Sequence, residues 1–206
     1  IAAGETYQIN LSQIFTAGWQ PWAQALPLDQ RILCLYMQMR ARAPAAMGAL
    51  VRAHATWVVS NSPETLFDIR FGAGVGGGDL IRSWPIKGTR PRGGDVASDR
   101  GLAAQLLASA KDGAEHVMIV DLVRNDLGRL AVPGSVSASA RPELMTLPTV
   151  HHLVTEVRAT LRPGWSLGEV MAALFPGGSI TGAPKHRTCE LIDELEKTGR
   201  GLYCGA

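Results

Sequence analysis

Five apolar side chains recur every three or four residues in the first quarter of the chain: Leu28, Ile32, Leu35, Tyr36 and Met39. This spacing is typical of one face of a helix, and Pro44 cannot continue it. The pattern predicts a helix over residues 27–43.

Shorter apolar runs between turn signals predict strands. Residues 56–60 form one run, and residues 66–71 and 80–86 flank a glycine-rich connection. Residues 150–161 predict a further strand with His152, Val154 and Glu156 on one face. A strand also begins, on this pattern, at the end of the chain, near residues 202–206.

The remaining apolar patterns predict helices with recognisable ends. Asp99 is placed to cap one helix, and residues 115–128 favour a helix by their length. Ser166 with Glu169 three residues later forms a capping box. Pro184 suits the first position of a last helix, and the pattern turns three of its residues inward: Cys189, Ile192 and Leu195.

Helices and strands alternate without a repeating β-α-β period. This favours an α+β fold in which antiparallel β-sheets are flanked by helices. No linker or repeat is visible, so residues 1–206 are expected to form one domain. Neither end looks natural: the chain lacks an initial Met, and the C-terminal strand has only begun.

The composition is that of an ordinary globular protein, with 46% hydrophobic and 18% charged residues. A formal net charge of +2 is too small to indicate nucleic acid or a membrane surface as partner, and neither is expected. No apolar run is long enough to span a bilayer, and no targeting pattern is visible. The three scattered cysteines predict reduced thiols and a cytoplasmic location.

Gly72, Gly74 and Gly77 match the G-x-G-x-x-G pattern of dinucleotide sites. Such a site needs a following helix, whose N-terminus holds the pyrophosphate. Residues 79–85 predict a strand instead, so we interpret the glycines as a hairpin connection.

A second glycine-rich segment, residues 176–185, leads into a predicted helix. Glycines let a ligand approach the backbone, and the helix N-terminus favours an anion, to which Lys185 adds charge. A plain turn with a helix cap explains the same residues, so both interpretations stay open.

Residues 85–93 bring Lys87, Arg90 and Arg92 close together. Such a run is commonly a solvated basic loop, but it could also hold a carboxylate or phosphate. A lysine beside other cations would have a lowered pKa and could act as a nucleophile.

Asp112 and Glu115 would share a helix face, and hard carboxylate oxygens at this spacing suit Mg²⁺. Acids complementing a helix dipole are the alternative. Glu64, in a turn, could be a general acid. His151 and His152 must point to opposite faces of their strand, so only one of them can face a given site.

Together these segments resemble the chorismate-utilising enzymes, a family that includes anthranilate, aminodeoxychorismate, isochorismate and salicylate synthases. The resemblance spans nearly the whole chain and rests on six segments: residues 5–12, 62–64, 85–91, 114–126, 149–153 and 177–185. It implies the fold of anthranilate synthase component I, incomplete at the C-terminus.

The resemblance also implies roles for individual residues. Glu115 matches a Mg²⁺ ligand, Asp112 a position that reaches the metal less directly, Glu64 the acid that helps the C4 hydroxyl leave, and His152 the histidine beside the ring. Five residues match positions that contact the substrate: Gly88, Thr89, Thr181, Gly182 and Ala183. The implied partners are chorismate, ammonia and a glutamine amidotransferase subunit or domain.

Two positions distinguish branches of the family. The water-adding members resemble one another in a lysine base where this chain has Gln8. Anthranilate synthases usually have alanine at the position of Lys87, whereas aminodeoxychorismate synthases have lysine, which is thought to attack C2 of chorismate. The resemblance therefore favours amination at C4. It also implies a further metal glutamate, an arginine and a tyrosine beyond residue 206.

Overall fold

The computed structural model describes residues 1–203, which pack as two compact units. The first unit comprises Ile1–Leu11 and Thr65–Gly199, and the second comprises Ser12–Glu64 and the segment from Arg200. The expectation of one domain over residues 1–206 is not decided by this division and stays a prediction. The strand expected near residues 202–206 lies largely outside the described residues.

The helices, in chain order, are α1 (Pro21–Gln24), α2 (Leu28–Arg42), α3 (Val96–Ala108), α4 (Ala110–Gly128), α5 (Leu167–Leu174) and α6 (Lys185–Leu195). The strands are β1 (Gln8–Ile9), β2 (Met47–Ala53), β3 (Thr56–Ser62), β4 (Asp68–Arg70), β5 (Leu80–Ser83), β6 (Ile86–Pro91), β7 (Ser137–Ala138), β8 (Glu143–Thr146), β9 (Val150–Val154), β10 (Val157–Thr160) and β11 (Gly182–Ala183).

Besides the short β1–β11 pair, the first unit contains two larger antiparallel sheets that are connected by two stretches of chain. One sheet has the order β4-β5-β10-β7 and the other β6-β9-β8. Since β5 runs into β6 and β9 runs into β10, both stretches pass from one sheet to the other. The N–H of Thr155 donates to the carbonyl of Pro85 at 3.4 Å where they do so. These helices and antiparallel sheets confirm the predicted α+β class.

The core of the first unit lies between the four-stranded sheet and helices α4 and α5. Ile81 and Val157 from the sheet and Leu127 and Val170 from the helices have no exposed surface. Alternation along β5 and β10 turns such residues to one face, where burial of apolar area stabilises the sheet against the helices.

The second unit holds α1, α2 and the β2–β3 hairpin. The helix predicted over residues 27–43 is confirmed, because α2 ends at Arg42 just before Pro44. The strand predicted at residues 56–60 continues to Ser62, and its residues are half-buried or exposed. The continuous apolar run at residues 56–60 would predict a buried strand, but a two-stranded ribbon cannot bury both faces of a strand.

The hairpin interpretation of Gly72, Gly74 and Gly77 is confirmed. β4 and β5 pair antiparallel on either side of these glycines, and a short 3-10 turn at Val75–Gly77 joins them. The Gly72 N–H donates to the Asp79 carboxylate at 2.9 Å. A strand therefore follows the glycines, where a dinucleotide site would require a helix.

Two local predictions are corrected by the structure. Asp95, and not Asp99, caps α3, accepting hydrogen bonds from the N–H groups of Ala97 and Ser98. The single strand expected over residues 150–161 is two strands, because the chain changes sheets at residues 155–156. The helix α4 at residues 110–128 and the capping box of Ser166 and Glu169 are confirmed.

The last helix also differs from its prediction. α6 begins at Lys185, so Pro184 is the capping residue before it and not its first position. Ile192 is buried and Cys189 is half-buried, but Leu195 is 59% exposed. Leu195 is the final residue of α6.

Candidate functional site

A β-bulge in β6 organises the candidate site. Lys87 lies opposite Leu153 and Thr89 lies opposite His152, so Gly88 is an extra residue between two cross-strand pairs. Gly88 has φ of +75°, a conformation that side chains resist. The bulge bends β6 and directs Thr89 and the Gly88 carbonyl towards His152.

The His152 ring is held by the bulge. Its Nδ1 lies 3.1 Å from the Gly88 carbonyl oxygen and 3.1 Å from the Thr89 hydroxyl. A carbonyl can only accept, so Nδ1 carries the proton and donates it to Gly88. In the neutral ring Nε2 is then the nitrogen that can accept a proton.

The neighbouring His151 faces the other way, as strand alternation requires. It is buried, its Nε2 lies 2.9 Å from Asp99, and its Nδ1 lies 2.9 Å from the Thr146 hydroxyl. These contacts join β8 and β9 to α3. His152 is therefore the histidine of the pair that belongs to the candidate site.

The start of α4 packs against the bulge. A methyl group on Gly88 would come within 3.2 Å of Asp112 Cβ and 2.9 Å of Leu106. The Asp112 carboxylate accepts a hydrogen bond from Arg90 at 2.9 Å. The Ser109 side chain and then Arg90 lower the pKa of Asp112 against the effect of burial, so this group is ionised at neutral pH.

The two arginines near Lys87 do not form an uncompensated cluster of positive charge. Arg90 pairs with Asp112, and Arg92 makes two hydrogen bonds of 2.8 Å with Asp99. Each guanidinium is neutralised by a carboxylate that the sequence places in another element. Both arginines that the sequence groups with Lys87 are therefore paired with carboxylates in the structure.

Glu115 follows Asp112 by one turn of α4 and is 41% exposed, with Lys111 3.9 Å away. Mg²⁺ is commonly held by one or two protein carboxylates together with water, so the oxygen donors of Asp112 and Glu115 fit this ion. Within residues 1–203 no three His, Cys, Asp or Glu side chains form a ready metal cluster. In this part of the chain, Asp112 and Glu115 are therefore the candidate ligands for Mg²⁺.

His116, next to Glu115, anchors α4 to the sheets. It is 1% exposed and its Nε2 lies 2.7 Å from the Thr155 hydroxyl, at the point where the chain changes sheets. Burial lowers its pKa, so the ring is neutral. The helix that carries both carboxylates is therefore fixed to the strand that carries His152.

The glycine-rich loop lies beside β1. Gln8 and Ile9 pair with Ala183 and Gly182, and the Asn10 N–H donates to the Thr181 carbonyl at 2.8 Å. Gly182 has φ of +147°, and a side chain there would overlap the Gln8 backbone. The predicted contact residues Thr181, Gly182 and Ala183 are therefore held as one rigid segment.

Lys185, which was expected to add charge for an anion at the loop, lies in the first turn of α6, and that role stays a prediction. Its Nζ donates to the Asp126 carboxylate at 2.5 Å, and the two side chains are 16% and 6% exposed. Burial raises the pKa of Asp126, and the charges of Lys185 and Arg129 oppose that effect. The Lys185 charge is thus compensated inside the protein.

Lys87 and Glu64 complete the predicted site residues. Lys87 is half-buried in β6, one residue before the bulge. Glu64 belongs to the second unit, where its carbonyl accepts a hydrogen bond of 3.3 Å from Ser62. Their predicted roles as nucleophile and acid stay predictions.

Two residues that contribute to the site were not predicted from the sequence. Arg90 was grouped with Lys87 and Arg92 as part of a basic segment, although its partner in the structure is Asp112 on α4. Asp126 has nearer charged neighbours on α4, Asp121 and Arg124, but these two side chains pair with each other at 2.9 Å. Lys185, which follows the glycine-rich loop, was the sequence feature that could have indicated an acidic partner such as Asp126.

Among residues 1–203, none of the helices combines the length and apolarity required to cross a membrane.

Comparison with known proteins gives consistent results. A family described as chorismate binding enzyme matches residues 1–206. Aminodeoxychorismate synthase component 1 of Salmonella typhimurium is 42% identical over 99% of this chain and 41% of its own length. An anthranilate synthase component 1 of Haloarcula marismortui is 40% identical over 98% of this chain and 37% of its own length.

Solved structures agree with these sequences. Anthranilate synthase component I from Streptococcus pneumoniae superimposes with a TM-score of 0.78 at 30% identity, covering all of this chain and 42% of that protein. An isochorismate synthase from Bacillus anthracis gives 0.65 at 26% identity, covering 85% of this chain and 46% of that protein. The chain thus spans less than half the length of these relatives. Since the family match extends over every residue, the chain belongs to the chorismate binding enzyme family.

Proposed function

We propose that the protein aminates chorismate at C4 with ammonia, giving 4-amino-4-deoxychorismate, the precursor of 4-aminobenzoate in folate biosynthesis. The observation that carries this proposal is Lys87, which directly precedes the bulge whose Gly88 and Thr89 hold His152. Relatives named aminodeoxychorismate synthase, at 42% identity, support the same branch of the family.

In the proposed reaction, the Lys87 amine forms a bond to C2 of chorismate. The C1–C2 double bond shifts to C1–C6, the C5–C6 double bond shifts to C4–C5, and the C4–O bond breaks. Glu64 would supply the proton with which the hydroxyl leaves as water. Ammonia then bonds to C4, both double bonds return, and the lysine nitrogen leaves C2, so that the sum is chorismate and ammonia giving product and water.

The other residues would bind and orient the substrate. The backbone of Thr181, Gly182 and Ala183, rigidly paired to β1, suits a carboxylate group that approaches closely. His152, with its proton held on Nδ1, would present Nε2 to the ring.

Asp112 and Glu115 would hold Mg²⁺, which when bound neutralises a substrate carboxylate and favours departure of the hydroxyl. The Arg90 contact keeps Asp112 ionised. A glutamine amidotransferase subunit or domain would supply the ammonia.

Anthranilate synthase component I is the second candidate, with amination at C2 and loss of pyruvate. The 40% identical relative from Haloarcula marismortui favours it. Lys87 opposes it, because the resemblance implies alanine at this position in that branch. A third candidate, of another class, is a chorismate-binding module without turnover.

Identification of the product separates these candidates. The complete natural protein is incubated with chorismate, Mg²⁺ and an ammonium salt, and the product is analysed by mass spectrometry. We expect an aminated product that retains the enolpyruvyl group, at a rate that depends on ammonium concentration. Anthranilate would instead support the tryptophan branch, and unchanged chorismate the binding module.

Lys87→Ala tests the covalent step in the same assay, with Lys197→Ala, an exposed lysine after α6, as the matched control. We expect the first variant to lose at least about 100-fold in rate, since a nucleophile is removed, and the control to keep its rate. A wild-type rate in Lys87→Ala would remove the covalent role while leaving the product assignment intact.

A further inference from the structure

The glycine-rich loop between α5 and α6 is attached to α4 at two points. Gly178 packs directly on Leu122, because a methyl group at Gly178 would overlap that side chain. Beyond the loop, Lys185 Nζ donates to Asp126 at 2.5 Å. Leu122 and Asp126 are four residues apart, so they lie one turn apart on the same face of α4.

The Lys185 ammonium joins three helices at once. Besides Asp126 on α4, it lies 3.3 Å from the Ala173 carbonyl and 3.5 Å from the Leu174 carbonyl, at the C-terminal end of α5. Carbonyls at a helix C-terminus lack partners within the helix and favour a cation. The loop begins after α5 and ends at α6. The Lys185 contacts therefore fix both of its ends relative to α4.

The same helix carries the proposed metal ligands. Asp112 and Glu115 lie in its first turns and Asp126 near its end. Eleven residues at about 1.5 Å each place Glu115 and Asp126 roughly 16 Å apart along the axis. α4 therefore carries the proposed metal carboxylates near its N-terminus and contacts the glycine-rich loop near its C-terminus.

We propose that Lys185 and Asp126 are positioning residues, whose buried ion pair holds the backbone of Thr181–Ala183 at a fixed place relative to Asp112 and Glu115. A substrate that contacts both the loop and the metal carboxylates requires that spacing. This inference rests on the proposed function in one respect, namely that chorismate is the substrate. Lys185 itself does not contact the substrate.

Loss of the pair should weaken substrate binding more than turnover. Loop contacts made by the substrate persist in the transition state, so their loss raises KM with little change in kcat. Removing one partner also leaves the other charge buried and unpaired, which displaces the loop. A purely structural role would instead lower thermal stability and the active fraction while KM stayed constant.

The test uses the complete natural protein with Lys185→Met and Asp126→Asn. We expect each variant to raise KM for chorismate by about tenfold or more, with kcat within about threefold. The exposed pair Asp121 and Arg124 on the same helix provides matched controls, and Asp121→Asn and Arg124→Met should leave KM within about twofold. Equilibrium dialysis with chorismate should show the same rise in Kd.

The outcomes separate this inference from the proposed function. An increase of KM in Lys185→Met alone would mean direct substrate contact, and unchanged KM in both would leave only a structural role; either result overturns the inference. If Lys185→Met does not fold, Lys185→Arg keeps the charge with a different reach, and its KM must still rise at least about threefold. Formation of another product by the wild type would overturn the C4 assignment alone, because the Kd comparison does not depend on the product.

Discussion

Gly88 is the residue on which the geometry of the site depends. Its φ of +75° suits the bulge, and Leu106, Asp112 and Leu153 surround the space that a side chain would need. Without this close approach, α4 could not pack so near the strand that faces His152. The glycine thus combines a backbone requirement with a packing requirement.

Gly88→Ala should therefore destabilise the protein by about 1–3 kcal/mol, from backbone strain and crowding together. Gly101→Ala is the matched control, because that glycine lies in α3 with open space around it. There alanine favours the helix and should be neutral or stabilising. Urea unfolding measures both free energies, and equal effects would contradict the assigned crowding.

Asp99 links the fold to pH. Hydrogen bonds from Arg92 and then from the Gly93 N–H hold the pKa of Asp99 well below the ordinary 3.8, against the opposing effect of burial, and the contact with His151 lowers it further. The unfolded chain therefore binds the Asp99 proton more readily than the folded protein does. The stability that Asp99 contributes is present above pH 3.8 and is lost as pH falls through the interval below it.

Asp99→Asn should consequently be less stable than the wild type at neutral pH, with a gap that narrows below about pH 4. Thermal unfolding of both proteins between pH 7 and pH 3 measures that gap. A gap of constant size over the whole range would show that the Asp99 charge is irrelevant.

At the scale of elements, the start of α3 depends on Asp95. Its carboxylate accepts hydrogen bonds from two N–H groups, and the Asp95 N–H donates in turn to the Ser98 hydroxyl. Asp95→Ala should cost about 0.5–2 kcal/mol, whereas Asp95→Asn, an equally good cap, should cost little. Urea unfolding distinguishes these variants, and equal losses would mean that the carboxylate charge, and not capping, is important.

Elements specified by local signals could be predicted from the sequence. The periodic apolar residues of α2 and the capping box of α5 act within a few residues, and both were confirmed. The start of α3 was misplaced because Asp95 and Asp99 are both plausible caps. Only the distant partners Arg92 and His151 show that Asp99 is otherwise engaged.

Features that depend on tertiary contacts were harder to predict. Nothing in residues 150–161 marks the change of sheets at residues 155–156, which arises from pairing with β5 on one side and β6 on the other. In the candidate site, the resemblance supplied Gly88, Thr89 and His152, and the structure places them together. The Lys185 contact with Asp126 joins residues 59 apart, which periodicity cannot reveal.

At the scale of the whole molecule, residues 1–206 expressed alone should turn over chorismate weakly or not at all in the presence of Mg²⁺. The relatives are more than twice as long, and the resemblance implies a further metal carboxylate outside this stretch. Of the two carboxylates present, Asp112 already pairs with Arg90. Product formation is compared with that of the complete protein after circular dichroism has verified folding, and equal rates would contradict the prediction.

The pairing of β1 with β11 has a consequence for biosynthesis. Thr6 and Ala183, which hydrogen-bond beside this pair, are 177 residues apart. A ribosome adding about 5–20 residues per second needs roughly 9–35 s to make that stretch. Throughout this time the β11 partner of the nascent β1 segment has not been synthesised. A chaperone that shields β1 would therefore act during translation.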